Sequence, residues 1–499
     1  MPRTRAAALA ALLVAALAAC GGGGAGPDCS DTGTRANVKS LVGSWYLYAA
    51  SVDVTPFDPA DPTRSPAEFL DAMVDSARLP GGAFTPDHGR HFSYLTTKSA
   101  NQQFFEEGTS VGYGIGLTFP TADAVVVTQV FGDAMDPAEP RYAQRSPAAK
   151  AGFARGDTIV AVAPASGATP NAANLDAPAN QVAALLAQDQ VNRSAFFAAL
   201  GSGAAGTARD FRLRRATGEL VDVQATTALY WLDPVPRYTA PTVLTSPGGR
   251  KVGYLVLRSF INPANDALRT AFAAFKAEDP PVTDLIVDLR YDGGGLLDVA
   301  STFLDLMGQG RTGTFQFGLR HNAAQAPGQD FTANFGAEPN AIAPARVAFI
   351  VREGSASASE LLPFALAPLL GADVALVGER TLGKPAGQYG FSGPDCPTVY
   401  VLLSFQLANA TGRAEYWDGL PDAAWAGSTC QVADDLTRPT GDPAEDSTRV
   451  ALEWIDGGQA ACTPIPAFQP AARQARTLRI PLALPPEPSL AQRHIPGLQ

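Results

Sequence analysis

The chain has 499 residues, of which 46% are hydrophobic and 17% are charged, and this length suits two or three domains rather than one. Its formal net charge is −11, and no basic run occurs beyond the N-terminus, which argues against nucleic acid because phosphate backbones are bound by clustered Lys and Arg. With only four histidines and no C-x-x-C spacing, no zinc site is predicted and no cofactor is expected.

The N-terminus is typical of an export signal. "MPRTR" supplies positive charge, the apolar run "AAALAALLVAALAA" follows, and Cys20 comes next. The tetrad at residues 17–20, "LAAC", resembles the lipobox of bacterial lipoproteins and closes the predicted signal segment, residues 1–20. The resemblance implies cleavage just before Cys20, which becomes the lipidated first residue of the mature protein. By the same resemblance, Gly21 rather than Asp after the cysteine implies an outer-membrane anchor that faces the periplasm, with exposure at the cell surface as the alternative. The Gly-rich segment 21–37 is expected to be a flexible tether. An ordinary cleaved signal with an incidental cysteine is the alternative.

Export changes how the other cysteines are interpreted. Cys29, Cys396, Cys430 and Cys462 would lie in an oxidising compartment, where disulfides can form. Four cysteines allow three pairings, and the sequence does not choose among them.

Residues 38–110 are predicted to form a mainly helical region. Its clearest helix is "SPAEFLDAMVDSARL", with Ser65 as N-cap, Pro66 at the first helical position and Glu68 in the opening turn. Apolar residues recur at helical spacing, which indicates a face packed on a core. They are Phe69, Leu70, Met73, Val74 and Ala77.

Residues 111–230 consist of short β-like runs and resemble a PDZ domain. The resemblance rests on Ser146–Ile159, "SPAAKAGFARGDTI", where a small helix and a Gly-Asp turn precede a strand. PDZ domains add an extended peptide to a sheet edge. The peptide-binding loop and strand would be Gly112, Tyr113, Gly114, Ile115, Gly116 and Leu117. A generic small β-barrel is the alternative.

In residues 240–463 predicted strands and helices alternate, which indicates an α/β domain with a mainly parallel sheet. Active sites in such folds lie at the carboxyl ends of strands. Two unusual runs follow strands here: "DLRYDGGGLL" after "LIV", and "EGSASASE" after "VAFIV". The remaining segment 464–499 contains "LPPEPS" and is expected to be extended or loosely packed.

A serine at a strand-to-helix turn is well placed to be a nucleophile, but it needs a base. None of the four histidines (His88, His91, His321 and His494) lies in a strand-end motif. A lysine can serve instead, because burial lowers a lysine pKa toward neutrality. After Lys276, Lys384 is the only lysine in the rest of the chain.

The ordered set "DLRYDGGGLL", "SASASE" and "GERTLGKPAGQ", after a PDZ-like segment, resembles the C-terminal processing (tail-specific) serine peptidase family. The resemblance covers about residues 41–457. It implies a ClpP/crotonase-like α/β core in which Ser357 is the nucleophile, Lys384 the base and Gln388 the residue that orients the lysine. Candidate oxyanion donors are the amides of Ala358 and Gly294.

One spacing departs from the family pattern. Lys384 lies 27 residues after Ser357, two more than is usual in the family. Measured from Ser359 the spacing would be the usual one, so Ser359 stays the alternative nucleophile. The alternation of small residues and Glu360 favour Ser357.

The sequence therefore predicts an α/β multidomain, envelope-anchored serine endopeptidase. Its PDZ-like domain would engage unstructured C-termini of polypeptide substrates or gate the activity, and its contact with the membrane would be through the lipid on Cys20. The main rival hypothesis is a catalytically inactive PDZ-bearing scaffold lipoprotein. A hydrolase acting on esters rather than peptides is a third.

Overall fold

The computed structural model describes residues 28–238, 242–466, 489–495 and 497–499. Contacts group the chain into two compact units, each built from three stretches. The first unit comprises residues 1–102, 311–336 and 383–417, and the second comprises 103–310, 337–382 and 418–499. The predicted signal and the lipidation site at Cys20 lie outside the described residues, and the predicted domain boundaries stay predictions. Among the helices described, none has the length and apolar character needed to cross a membrane.

The elements are numbered in chain order. The helices are α1 (Asp31–Trp45), α2 (Pro66–Ser76), α3 (Lys98–Asn101), α4 (Pro147–Ala151), α5 (Ala172–Asp176), α6 (Val182–Gln188), α7 (Ser194–Leu200), α8 (Ala264–Ala277), α9 (Leu297–Leu306), α10 (Ala326–Gln329), α11 (Ala358–Leu370), α12 (Asp446–Gly457) and α13 (Leu490–His494). The strands are β1 (Tyr94–Thr97), β2 (Thr109–Gly112), β3 (Ile115–Thr121), β4 (Ala124–Val130), β5 (Thr158–Pro164), β6 (Ala208–Arg214), β7 (Leu220–Thr226), β8 (Ala228–Trp231), β9 (Val243–Thr245), β10 (Lys251–Val256), β11 (Asp284–Asp288), β12 (Phe315–His321), β13 (Phe331–Asn334), β14 (Arg346–Val351), β15 (Val374–Gly378), β16 (Ala386–Phe391), β17 (Thr398–Ala408) and β18 (Ser428–Gln431).

The first unit packs α1 and α2 against an antiparallel sheet. The sheet has the order β1-β17-β12-β13, and β16 also pairs with β17. The predicted helix is confirmed as α2: the Ser65 side chain accepts from the Glu68 amide, and the Glu68 side chain accepts from the Ser65 amide. This capping box satisfies two amides that the first helical turn leaves unpaired. The apolar face predicted from the spacing is buried.

The structure selects one of the three cysteine pairings. Cys29 is bonded to Cys396 within the first unit, and Cys430 is bonded to Cys462 within the second. The first bond closes a separation of 367 residues, so it fastens the beginning of the described chain to the segment that precedes β17.

The second unit contains a five-stranded antiparallel sheet with the order β3-β4-β5-β6-β7. The short helices α4, α6 and α7 accompany it, and their apolar residues share one core with the sheet. A separate ribbon pairs β2 with β8. Strand β3 is an edge strand of the five-stranded sheet.

The second unit also contains a six-stranded sheet with the order β18-β15-β14-β11-β10-β9. All neighbours in it are parallel except β9, which runs antiparallel to β10. The mixed α/β, multidomain fold class predicted from the sequence is thereby confirmed. Because β11 and β14 are parallel neighbours, the glycine turn after β11 and the serine-rich turn after β14 lie at the same edge of the sheet.

The last segment of the chain is packed rather than loose. Ile495 and Leu498 have 0% and 2% of their surface exposed, and Leu498 forms an antiparallel bridge with Gly116. Of the expectation that this segment is extended or loosely packed, loose packing is wrong for residues 489–495 and 497–499, because apolar side chains there are buried. The bridge at Leu498 agrees with an extended backbone at that residue.

A buried ion network lies at the carboxyl end of β11. The Arg290 guanidinium binds Asp288 Oδ2 and Glu445 Oε1, each at 2.8 Å, and Asp434 Oδ1 at 3.2 Å. Burial raises the pKa of Glu445, but Arg290 and the hydrogen bonds from Thr448 outweigh that effect and bring the pKa to about 2. The folded state therefore favours the ionised carboxylate.

We predict that Glu445→Gln lowers the free energy of unfolding by about 3 kcal/mol at pH 7, because it leaves part of the buried Arg290 charge uncompensated. A carboxyl group in an unfolded chain titrates near pH 4.3. Since the folded pKa is lower, the stabilisation by Glu445 is present above that pH and is lost as the pH falls toward 2. Denaturant melts of wild type and variant should therefore converge over this range.

Glu453→Gln is the matched control, since Glu453 lies on the same helix α12 and forms an exposed pair with Arg449. Its effect should stay below about 0.5 kcal/mol. A Glu445→Gln melt that coincides with wild type at pH 7 would contradict the stabilising role of the network.

Candidate active site

Ser357 lies at the turn between β14 and α11, in a conformation that is rare for a residue with a side chain. Its φ is 57° and its ψ is −116°. Such backbone conformations cost about 1–3 kcal/mol and persist only where the surroundings enforce them. They are typical of nucleophiles displayed on a sharp strand-to-helix turn. The residue is buried except for 8% of its surface.

Glu360 holds this turn from inside the helix. Its Oε2 accepts a hydrogen bond from the Ser357 amide at 3.0 Å, and its Oε1 accepts one from the Thr381 hydroxyl. Thr381 in turn accepts from the Leu420 amide at 2.7 Å. Glu360, the glutamate of the "SASASE" run, is thus fully buried and fixes the backbone of Ser357 by a hydrogen bond.

The two neighbouring serines of the run are used in structural hydrogen bonds. Ser355 Oγ donates to the carbonyl of Leu289 at 2.7 Å, and Ser359 Oγ donates to the carbonyl of Asp292 at 2.8 Å. Both side chains are fully buried. This arrangement favours Ser357 over Ser359 as the nucleophile.

The glycine turn packs directly against this serine. Gly294 has a φ of 99°, and a Cβ placed on it would lie 2.9 Å from Ser357 Cβ and 2.7 Å from the carbonyl oxygen of Ala356. Only glycine therefore fits. Of the two candidate oxyanion donors, the Gly294 amide already donates to Asp292 Oδ1 at 2.8 Å. The amide of Ala358 faces no acceptor among the described residues.

Asp292 is an unusual carboxyl group at this turn. Burial raises its pKa well above the usual range, although the Gly294 amide and Ser359 oppose the shift. Its Oδ2 has no hydrogen-bond partner among the described residues. The environment therefore favours the protonated form, in which no charge is buried beside the oxyanion donors.

Lys384 and Gln388 meet in the first unit. Lys384 Nζ donates to Gln388 Oε1 at 2.7 Å and lies 5.1 Å from the centre of the Phe92 ring. The Gln388 amide nitrogen donates to the carbonyl of Phe92. This bond fixes the glutamine so that its oxygen faces the lysine. Only 8% of the Lys384 surface is exposed.

The segment before the lysine is also held. Arg90 Nη1 donates to the carbonyl of Gly383 at 2.7 Å, and Arg90 Nη2 donates to the carbonyl of Trp417 at 3.0 Å. Sequence analysis missed both Arg90 and Phe92. They are separated by 293 to 327 residues from the groups they contact. No local sequence pattern predicts a contact through a backbone carbonyl.

The predicted site residues are divided between the two units. Ser357, Ala358 and Gly294 meet in the second unit, whereas Lys384 and Gln388 meet in the first. The predicted peptide-binding run starts at the end of β2 and continues into the edge strand β3. It is Gly112, Tyr113, Gly114, Ile115, Gly116 and Leu117.

Comparison with known proteins supports the motif-based prediction. Residues 251–413 match the model of peptidase family S41. None of the curated proteins compared with the chain matches it. A Bacteroides fragilis protein assigned to the S41 proteases superposes with a TM-score of 0.58 at 20% identity, over 84% of this chain and 97% of its own. The photosystem II D1 C-terminal processing protease superposes with a TM-score of 0.46 at 19% identity, over 87% and 99%.

The matched range contains Gly294, Ser357, Lys384 and Gln388 together with the strands that carry them. Residues 251–413 therefore form a domain of peptidase family S41, which indicates a serine-type peptidase.

Proposed function

We propose that the protein is an endopeptidase that cleaves polypeptides through a Ser357–Lys384 dyad. The observation that carries the proposal is the enforced positive φ of Ser357, because a strained serine at a strand-to-helix turn has no evident structural purpose. The S41 domain supplies the reaction class. Fixed hydrogen bonds of Ser355 and Ser359 leave Ser357 as the favoured nucleophile.

In the proposed first step, neutral Lys384 takes the proton of Ser357 as Oγ attacks the carbonyl carbon of the scissile peptide bond. The tetrahedral intermediate then collapses, the leaving amine takes the proton from Lys384, and an acyl-enzyme remains. Water attacks the ester in the second step and gives a proton to Lys384. The bond between the acyl group and Ser357 Oγ then breaks, Oγ takes that proton from the lysine, and the carboxyl product leaves. The chain is then restored with Ser357 protonated.

The surroundings of Lys384 support its proposed role as a base that is neutral before the reaction. Only 8% of the residue's surface is exposed, and burial favours the uncharged form of a lysine, although the charge interaction with Asp87 opposes it. Its hydrogen bond to Gln388 Oε1 uses one N–H, so the nitrogen lone pair points away from the glutamine. Gln388 therefore acts as a positioning residue rather than as a proton carrier.

The amides of Ala358 and Gly294 are the proposed oxyanion donors. A preorganised donor of this kind contributes about 3 kcal/mol to stabilisation of the transition state. The Ala358 amide is at the first position of helix α11, where the helix itself supplies no acceptor. The Gly294 amide would exchange Asp292 Oδ1 for the oxyanion.

We further propose that the β-rich part of the second unit acts as a PDZ-like domain that engages polypeptide C-termini, and that the protein is attached to the envelope through a lipid on Cys20. An edge strand β3 preceded by a glycine-containing loop supports the first point. The lipobox-like tetrad supports the second. A catalytically inactive scaffold is disfavoured because Ser357, Lys384 and Gln388 are all present.

We predict that Ser357→Ala lowers cleavage of an unstructured polypeptide such as casein by at least about a thousandfold, because it removes the nucleophile. Ser359→Ala is the matched control. It removes one buried hydrogen bond, worth about 1 kcal/mol, so cleavage should stay within about tenfold of wild type. Initial rates followed by gel or fluorescence measure both. If Ser359→Ala loses activity while Ser357→Ala keeps it, the nucleophile is Ser359 and the assignment to Ser357 is wrong.

Lys384→Arg should abolish cleavage to the same extent, because a guanidinium stays protonated and cannot accept the serine proton. Lys276→Arg, at an exposed position of α8, is the control and should leave the rate unchanged. Rates are compared across pH 6 to 10 so that a shifted optimum is not mistaken for loss. A fully active Lys384→Arg variant would exclude the Ser-Lys mechanism.

A further inference from the structure

The edge of the five-stranded sheet is occupied by the protein's own tail. The Leu117 amide donates to the carbonyl of Gly497 at 2.9 Å, and the Gln499 amide donates to the carbonyl of Ile115 at 2.8 Å. Leu498 lies opposite Gly116 in an antiparallel bridge. The tail is therefore an added strand on β3, and its backbone satisfies groups that an edge strand leaves unpaired.

Beside this strand, the glycine-containing loop converges on a single oxygen of the tail. The amides of Gly114 and Ile115 both donate to Gln499 O, at 2.8 and 3.2 Å. Gly114 has a φ of 74°, and a Cβ on Gly112 would lie 3.2 Å from Gln499 C. The absence of a side chain at Gly112 thus permits the close approach of the tail, whereas the lack of one at Gly114 is required by its φ and by its contact with Ser146. The residues that sequence analysis assigned to peptide binding, 112–117, define what we call the peptide groove.

Side chains of the tail are buried as those of a bound ligand would be. Leu498 has 2% of its surface exposed and Ile495 has none exposed. The His494 ring stacks on Phe104 with ring centres 5.3 Å apart and meets the edge of Phe105 at 5.1 Å. His494 is the last residue of helix α13, which begins with a capping box at Ser489. The tail therefore contacts the second unit through its side chains as well as through its backbone.

The same tail reaches the catalytic turn. The Gly293 amide donates to the carbonyl of His494 at 2.9 Å, and the next residue, Gly294, packs against Ser357. The tail thus bonds at one end to the peptide groove and at the other to the turn that carries a proposed oxyanion donor. An occupant of the groove is connected to the catalytic serine by this short path.

We infer that residues 497–499 are an intramolecular ligand of the peptide groove, and that a substrate binds there by displacing them. The groove would accept extended polypeptide segments with a leucine-like side chain at the position of Leu498. If the groove binds substrate, as the proposed function states, the tail competes with substrate; this consequence rests on the proposed function. A competing tail weakens apparent affinity by the fraction of molecules in which the groove is open.

The test measures binding of a fluorescent peptide with the sequence SLAQRHIPGLQ, that of residues 489–499, by anisotropy. Two full-length proteins are compared, Ser357→Ala and Ser357→Ala with Leu498→Asp. The aspartate disfavours insertion of the tail, so the second protein should bind the peptide at least tenfold more tightly. Leu220→Asp, at an exposed leucine of the same sheet, is the matched control and should bind like the parent. A peptide that itself carries Leu498→Asp should not bind.

Equal affinity in the parent and the Leu498→Asp protein, or binding by neither, would overturn the inference. A second measurement needs no variant: in wild-type protein, amides of Gly114, Leu117 and Gln499 should be protected from hydrogen exchange. Rapid exchange at these amides in the folded chain would also overturn it. Both readouts are independent of cleavage.

A kinetic measurement on the active protein tests whether the tail competes with substrate, as the proposed function requires. In the active protein, Leu498→Asp should lower the KM for an unstructured polypeptide severalfold and leave kcat nearly unchanged. An unchanged KM would overturn competition between tail and substrate. If the peptide binds as expected while neither protein cleaves any polypeptide, the proposed peptidase function fails and the tail-groove assignment stands.

Discussion

The strained backbone at Ser357 is the constraint on which the candidate active site depends. A positive φ at a residue with a side chain is unfavourable by about 1–3 kcal/mol, and the turn keeps it through contacts on both sides. Within helix α11, the Glu360 carboxylate accepts a hydrogen bond from the Ser357 amide. On the other side, Gly294 packs so closely that a Cβ on Gly294 would not fit. The parallel pairing of β11 with β14 brings these two turns together. Sheet topology therefore creates the site, and local hydrogen bonds hold it.

The run after β11 combines structural and chemical roles. Asp288 and Arg290 belong to the buried ion network with Glu445, whereas Asp292 and Gly294 face the serine turn. A few consecutive residues thus contribute both to the stability of the fold and to the geometry of the candidate site. A substitution in this run that impairs activity has to be tested for stability before it is assigned to chemistry.

Much of this organisation could be predicted from the sequence, and the limits have physical causes. Helix α2 was predictable because its capping box and apolar spacing are local, and the serine turn was predictable because small residues follow a buried strand. By contrast, the first unit is assembled from three separate stretches, and β12 and β13 are stabilised by pairing with each other and with the distant β17. The contact between Gln388 and Phe92 and the disulfide between Cys29 and Cys396 also join distant positions. The tail strand has no local signature either, because its main contacts are backbone bonds to β3.

The central claim is that Ser357, activated by Lys384, forms a covalent acyl-enzyme. Its most direct test is acid quenching of the wild-type protein during turnover of an activated peptide ester, followed by peptide mass spectrometry that locates the acyl group. We predict an acyl adduct on Ser357 in wild type and no adduct in Lys384→Arg. An adduct on Ser355 or Ser359, or equal labelling of Ser357 in the arginine variant, would contradict it.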